Sequence, residues 1–324
     1  MKSNLSIKSF IKKTNNTKFL YTPGPGSLIE ENILGLEPCF GRNDKKFLDK
    51  KKKVYNFLKK ISGQKKVVSL QGSASLAIEI ACYNFLNGKV LVIDTGYYSD
   101  RLFEICKQNS KIKKLHKTHW LKIDETKYKY DWIIACYVET SLGIKIPIEK
   151  LKIIKKKYKS KIMLDATASI GLEEHHSIAD VCCFSSCKGL FGFTGASFIT
   201  FNIKPINKVK SFYLNIKNHI NMKMTGPYHS ILSLYEVTKK YQMLKFRVKK
   251  NKELFQKKFK EHLVHDKKLQ PLLCTSINKK IRNNKNIILY KLRVKKKGSV
   301  VCHLGGLHLN SKMQKKIINK IDIV

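Results

Sequence analysis

Between Lys65 and Phe201, short apolar runs alternate with segments in which apolar residues recur every three or four positions. KKVVSL predicts a strand, and SLAIEIACYNFL behind it predicts a helix on that spacing. The same pairing recurs as KVLVID followed by YYSDRLFEICKQN. KIKKLH predicts a short strand and YDWIIACYV another. Pro147 then opens a helix over IEKLKIIKKKY, where a missing amide donor costs nothing. KIMLD, ADVCCFS and ASFITF complete the run of strands. Strands that alternate with helices predict an α/β fold, a mostly parallel sheet covered on both faces.

After Phe201 the pattern changes. KSFYLNIKNHINMKMTGPYHSILSLYEVTKKY is irregular and then helical, and KELFQKKFKEHL continues as a long amphipathic helix. CTSI, NIILYKL and SVVCHL predict strands of a smaller α+β unit, closed by a helix over SKMQKKIINKI. The expected organisation is an N-terminal arm over 1–20, a large domain over 21–235 and a small C-terminal domain over 236–324. Neither internal repeats nor a Pro/Ser-rich linker interrupt it.

The formal charge of +42 invites a nucleic-acid reading, but arginine occurs only at Arg42, Arg101, Arg247, Arg282 and Arg293. Base-edge and bidentate phosphate recognition favour arginine, whereas lysines spread in helical runs are solvated faces. Specific nucleic-acid binding is not expected. No window approaches the roughly 18 apolar residues of a membrane span. The basic N-terminus lacks the apolar centre of a secretory signal. The nine cysteines, an odd number and mostly in apolar segments, predict reduced thiols and a cytoplasmic setting. No metal site is expected of them.

In a sheet of this kind ligands bind beyond the C-terminal strand ends. Gly72, Ser73 and Ser75 follow VVSL, Tyr98 follows VLVID, Thr140 follows IIACYV, Asp165 ends KIMLD, and Lys188 follows VCCFSS. Each has a plain alternative. The serines at a helix start are either an N-cap or an anion site. Asp165 is a turn cap, a magnesium ligand or a buried carboxylate with a partner. Lys188 either snorkels to water or is a desolvated amine nucleophile. Taken together, an anion site, a carboxylate and a lysine at one sheet edge fit pyridoxal phosphate.

The segments YTPGPG (Tyr21–Gly26), LQGSASLAIE (Leu70–Glu79), DTGYYSDR (Asp94–Arg101), VETSLGIKIP (Val138–Pro147), LDATASIG (Leu164–Gly171) and ADVCCFSSCKGLFGFTGASF (Ala179–Phe198) resemble those of class V aminotransferases. SFYLNIK (Ser211–Lys217) and GPYHSILSLYE (Gly226–Glu236) extend the resemblance, which is weak beyond Glu236. Within that family it resembles the 2-aminoethylphosphonate–pyruvate, alanine–glyoxylate and serine–pyruvate transaminases. It implies fold type I, with a mostly parallel seven-stranded sheet, and a homodimer whose cofactor sites lie at the subunit interface. It implies that Lys188 forms the Schiff base, that Asp165 holds the pyridine nitrogen, that Tyr98 stacks on the ring and that Thr140 bonds the phenolic oxygen. Ser73, Ala74, Ser75, Ser186, Tyr228 and Ser230 would serve the cofactor, with Ser230 reaching the neighbouring subunit's phosphate. Gly24 would line the substrate pocket.

Two departures stand out. Ala74 replaces a usual glycine, which is tolerable only if that backbone needs no positive φ. The small-domain arginine that holds the substrate carboxylate has no counterpart; its place falls on His303 or Gln314, with Arg293 nearby and Arg42 as a further anion contact. The implied activity is amino transfer from a small donor, best 2-aminoethylphosphonate, to pyruvate or glyoxylate. Alanine–glyoxylate or serine–pyruvate transamination is the alternative. A cysteine desulfurase or another lyase using Cys274 or Cys302 is a further one, and a degenerate cofactor-binding partner protein is a non-enzymatic one.

Overall fold

The computed structural model describes residues 6, 9, 19–36, 41, 43–282, 287–309 and 311–324. Strands in chain order are β1 (Phe19–Tyr21), β2 (Lys66–Gln71), β3 (Gly88–Asp94), β4 (Ile112–His119), β5 (Trp132–Cys136), β6 (Val138–Glu139) and β7 (Ile144–Lys145). They continue as β8 (Lys161–Asp165), β9 (Val181–Ser185), β10 (Ala196–Phe201), β11 (Cys274–Ile277), β12 (Ile287–Leu289) and β13 (Ser299–Cys302). Helices are α1 (Glu30–Leu34), α2 (Lys45–Ser62), α3 (Ala74–Phe85), α4 (Tyr97–Lys107), α5 (Ile148–Tyr158), α6 (Ile216–Ile220), α7 (Tyr228–Lys239), α8 (Tyr241–Lys258) and α9 (Ser311–Asn319).

Seven strands form one sheet in the order β2-β10-β9-β8-β5-β3-β4. The pairs β3–β4, β3–β5, β5–β8 and β8–β9 are parallel, and β10 runs antiparallel to both β2 and β9. The period-two pleat sorts each central strand between two apolar layers. On one face Leu91, Ile133, Leu164 and Phe184 pack with Val54 and Leu58 of α2 and Leu151 of α5. On the other Val92, Ile134, Met163 and Cys183 pack with Ala77 and Ile78 of α3 and Leu102 of α4. This is the covered, mostly parallel sheet that the sequence predicts.

Two differences have local causes. YDWIIACYV does not stay one strand: β5 stops at Cys136, and Val138–Glu139 turn away to pair with Ile144–Lys145. The strand after α4 reaches His119 rather than His116, because it lies at the sheet edge and pairs with β3 along its whole length. In the C-terminal part, β11 and β13 pair antiparallel. A short parallel pairing of β1 with β12 sets Phe19 opposite Ile287 and Tyr21 opposite Leu289. Among the described residues no helix is long and apolar enough to cross a membrane.

Candidate active site

The C-terminal ends of β2, β5, β8 and β9 and the start of β10 open on one cavity of about 370 Å³. Its lining includes Ser73, Ala74, Ser75, Tyr98, Thr140, Asp165 and Lys188. These seven expected residues therefore come together, from five separate connections of the sheet.

The anion end is built where β2 hands over to α3. Gly72 takes φ +155°, and a side chain there would strike Leu76 at 2.6 Å. Ala74 is the first residue of α3 and is not among the residues of positive φ. The conformational demand thus falls on Gly72, and alanine at 74 is accommodated. Ser73 is the N-cap residue, yet its hydroxyl makes no capping bond. That hydroxyl and the open amides of the first turn are available to an anion, which the helix dipole favours.

Lys188 follows β9 in a tight turn and is half-buried. Its Nζ lies 5.7 Å from the Tyr98 ring centroid, and among the described residues it forms no ion pair. Asp165 ends β8 and is 2% exposed. Its Oδ1 accepts the Thr167 amide at 3.0 Å and the Thr167 hydroxyl. Thr140 is buried, and its Oγ1 has no hydrogen-bond partner. A buried hydroxyl left without a partner costs about 1–3 kcal/mol, so this atom is one that a ligand would satisfy. Gly24 abuts the lysine: a Cβ there would come 3.0 Å from Lys188 Cγ.

Beneath these residues sits Glu139, fully buried. Its Oε2 accepts the Tyr98 amide, and its Oε1 accepts both the amide and the hydroxyl of Ser141. Burial raises its carboxyl above the ordinary glutamate value. Burial likewise pushes the Cys136 thiol on the cavity floor well up, so it stays protonated.

Sequence reasoning missed Arg101. It sits one turn after Tyr98 on α4, lines the cavity and holds its guanidinium 4.8 Å from the Tyr98 ring centroid. Its Nε is buried without a partner. The spacing of three on a helix was a usable signal, since residues so placed share a face.

Other expected residues lie elsewhere. The Ser186 hydroxyl donates to the carbonyls of Phe193 and Ala196, which holds the lysine turn rather than facing the cavity. Ser230 donates to the carbonyl of Thr194, itself a lining residue, at 3.3 Å. Tyr228 lines a separate, smaller cavity with Lys51 and Tyr55. His303 and Gln314 are buried in the C-terminal part. His303 Nε2 meets Thr275 Oγ1 at 2.9 Å, and Gln314 donates to the Gly306 carbonyl at 2.7 Å. Burial holds the His303 imidazole well below its usual range, which makes it neutral and no substitute for an arginine. Arg293 packs over the Tyr97 ring at 5.6 Å. Arg42 lies outside the described residues. Among the described residues no cluster of three or more His, Cys, Asp or Glu is placed to hold a metal ion.

No family model matches the chain. Over 252 residues it is 25% identical to a 2-aminoethylphosphonate–pyruvate transaminase of Pseudomonas aeruginosa, covering 69% of this chain and 68% of that protein. Its fold is shared with an alanine–glyoxylate aminotransferase from Nostoc sp., at a TM-score of 0.79 and 17% identity over 94% of each chain. A PLP-bound phosphoserine aminotransferase from Trichomonas vaginalis shares it at a TM-score of 0.71 and 13% identity, over 92% of this chain and 98% of that one. The resemblance to class V aminotransferases is borne out, in sequence by the first relative and in fold by the other two.

Proposed function

We propose that this chain is a pyridoxal-phosphate-dependent aminotransferase that moves an amino group from 2-aminoethylphosphonate, or a donor of similar size, to pyruvate or glyoxylate. The observation that supports it most is the convergence of Lys188, Asp165, Thr140 and the Ser73–Ser75 turn on one cavity. The residues fit the cofactor: an unused N-cap hydroxyl and open amides suit its phosphate, and the unpartnered Thr140 hydroxyl suits its phenolic oxygen.

When bound, pyridoxal phosphate supplies an electron sink for the carbon that bears the amino group. Lys188 would hold the cofactor through its amine and move the proton at the substrate carbon. Asp165, with Oδ1 fixed by Thr167, would keep a proton on the pyridine nitrogen. Tyr98 would cover one ring face, and Ser73, the Ala74 amide and Ser75 would take the phosphate. In a homodimer, Ser230 would serve the neighbouring subunit's phosphate, and Tyr228 is a further candidate for the phosphate site. We further propose a cofactor-binding domain over 21–235, a small domain over 236–324 and a cytoplasmic setting. Arg42 as a substrate-anion contact rests on the resemblance alone.

The donor preference rests on the Pseudomonas relative. Alanine–glyoxylate or serine–pyruvate transamination is the second reading, favoured by the shared fold with the Nostoc enzyme. A desulfurase loses support, because Cys274 and Cys302 lie fully buried opposite each other in β11 and β13. The test is the absorption spectrum of the protein with pyridoxal phosphate, before and after single donors: 2-aminoethylphosphonate, alanine, serine, glutamate and cysteine. A band lost with one donor and restored by pyruvate or glyoxylate names the reaction. A wild-type protein with no band absent from Lys188→Ala refutes it.

A further inference from the structure

Arg101 stands on α4 three residues past Tyr98, and side chains on a helix lean toward its N-terminus. The arginine therefore reaches back over the Tyr98 ring to the cavity, which it lines half-buried. Its guanidinium lies 4.8 Å and Lys188 Nζ 5.7 Å from the centroid of that one ring, so two cations gather on a single aromatic side chain. Among the described residues no other cation lines the cavity. No carboxylate answers the arginine. Both oxygens of Glu139 are taken by Tyr98 and Ser141, and Asp165 Oδ1 is held by Thr167. The arginine Nε is buried without a partner. An aromatic ring offsets the charge of a guanidinium, but its N–H donors still call for oxygen acceptors. A buried cationic donor left unmet is unfavourable, and an anion in the cavity relieves it.

We propose that Arg101 is the anion-contacting cation of this cavity and binds an oxyanion that offers two oxygens side by side: a phosphate, phosphonate or carboxylate. The proposal rests on the aminotransferase reading. Two sources present this chemistry there, the phosphate of the cofactor and the acid group of the substrate. A planar guanidinium meets such a pair of oxygens with two parallel N–H bonds, which a lysine does not reproduce. Once Lys188 holds the cofactor through its amine, Arg101 is the fixed positive charge of the lining, and the buried His303 and Gln314 contribute none.

The test compares wild type with Arg101→Met, which keeps an unbranched side chain against Tyr98 and removes the charge. Two pairs of probes differ only in an anionic group. Pyridoxal phosphate and pyridoxal are titrated into the cofactor-free protein, read by absorbance and by the rise in melting temperature. Aminooxyacetate and O-methylhydroxylamine are added to the loaded protein, where each displaces the lysine amine as an oxime. If the cofactor phosphate is the partner, Arg101→Met weakens pyridoxal phosphate about ten- to hundredfold and leaves pyridoxal unchanged. If the substrate acid is the partner, oxime formation by dilute aminooxyacetate slows by about the same factor, and that by O-methylhydroxylamine does not. Arg101→Lys, which keeps the charge without the fork, should lose less, and with the anionic probe alone. Equal losses within each pair, in either variant, overturn the proposal and leave Arg101 as a support for Tyr98. No loss in either pair overturns it as well. A wild-type protein that forms no lysine-dependent band overturns the aminotransferase reading and this inference with it.

Discussion

Glu139 holds Tyr98 and Ser141 at once: one oxygen takes the Tyr98 amide at 2.9 Å, and the other takes the Ser141 amide at 2.9 Å and its hydroxyl at 2.6 Å. A single carboxylate therefore fixes the start of α4, which carries the aromatic wall, and the turn that carries Thr140. A glutamine cannot accept on both sides, because its amide nitrogen would confront a donor.

Glu139→Gln is expected to lose about 1–3 kcal/mol of stability, measured by urea unfolding near neutral pH. The pH dependence has a definite sign. Burial raises the folded-state carboxyl above its ordinary 4.5, so its contribution is full below that value and is lost as pH rises through the raised one. The unfolding midpoint of Glu139→Gln should therefore fall less steeply than that of wild type from pH 4.5 upward. Parallel curves would mean that Glu139 is ionised at no extra expense.

His176 behaves in the opposite sense. It is 1% exposed, its Nε2 meets Ser169 Oγ at 2.9 Å, and burial depresses its imidazole to about 3. Its contribution is full above the unfolded value of 6.5 and is lost as pH falls from there toward 3, by up to about 1.4 kcal/mol per pH unit. Thermal melts between these limits should show His176→Gln with a shallower acid decline than wild type. An equal decline assigns the acid sensitivity to other groups.

Lys188→Ala should abolish the lysine-dependent absorption of the loaded protein and lower turnover by about 10²–10⁴-fold, with the melting temperature little changed. Stopped-flow half-reactions with the preferred donor read the rate directly. A variant that retains both band and turnover removes Lys188 from the chemistry.

Gly24→Ala places a methyl group 3.0 Å from Lys188 Cγ and 3.2 Å from the Cys187 carbonyl, on a backbone at φ +135°. The strain is expected to cost about 1–3 kcal/mol and to displace the lysine. Pyridoxal phosphate affinity, titrated by absorbance, should fall at temperatures where far-UV circular dichroism is still native. Undiminished affinity would show that the lysine turn absorbs the methyl group.

The sheet and the cavity floor were legible because they follow from local rules. KIMLD is a strand over Lys161–Asp165 as its apolar run predicts, and the strand end delivers Asp165 to the cavity without further information. Lys188 and Ser73–Ser75 are legible for the same reason. What was hidden depends on contacts far apart in sequence. FLY at 19–21 has no periodicity of its own and is a strand only because β12 lies beside it. Alignment can place His303 and Gln314 near a family position, but only packing shows that their polar atoms are spent on Thr275 and Gly306. The apolar run YDWIIACYV hid its break, since a turn between two buried stretches leaves no change of polarity.

The pairing of β1 with β12 sets a timetable for the chain's assembly. Phe19–Tyr21 leave the ribosome long before Ile287–Leu289, so this strand waits without its partner while the whole seven-stranded sheet is synthesised. Closing so long a loop is slow and comes late. Tyr21, which ends β1, gains its neighbour Leu289 only then. A nascent chain released before β12 would carry the sheet, the phosphate turn and the lysine, with β1 still unpaired.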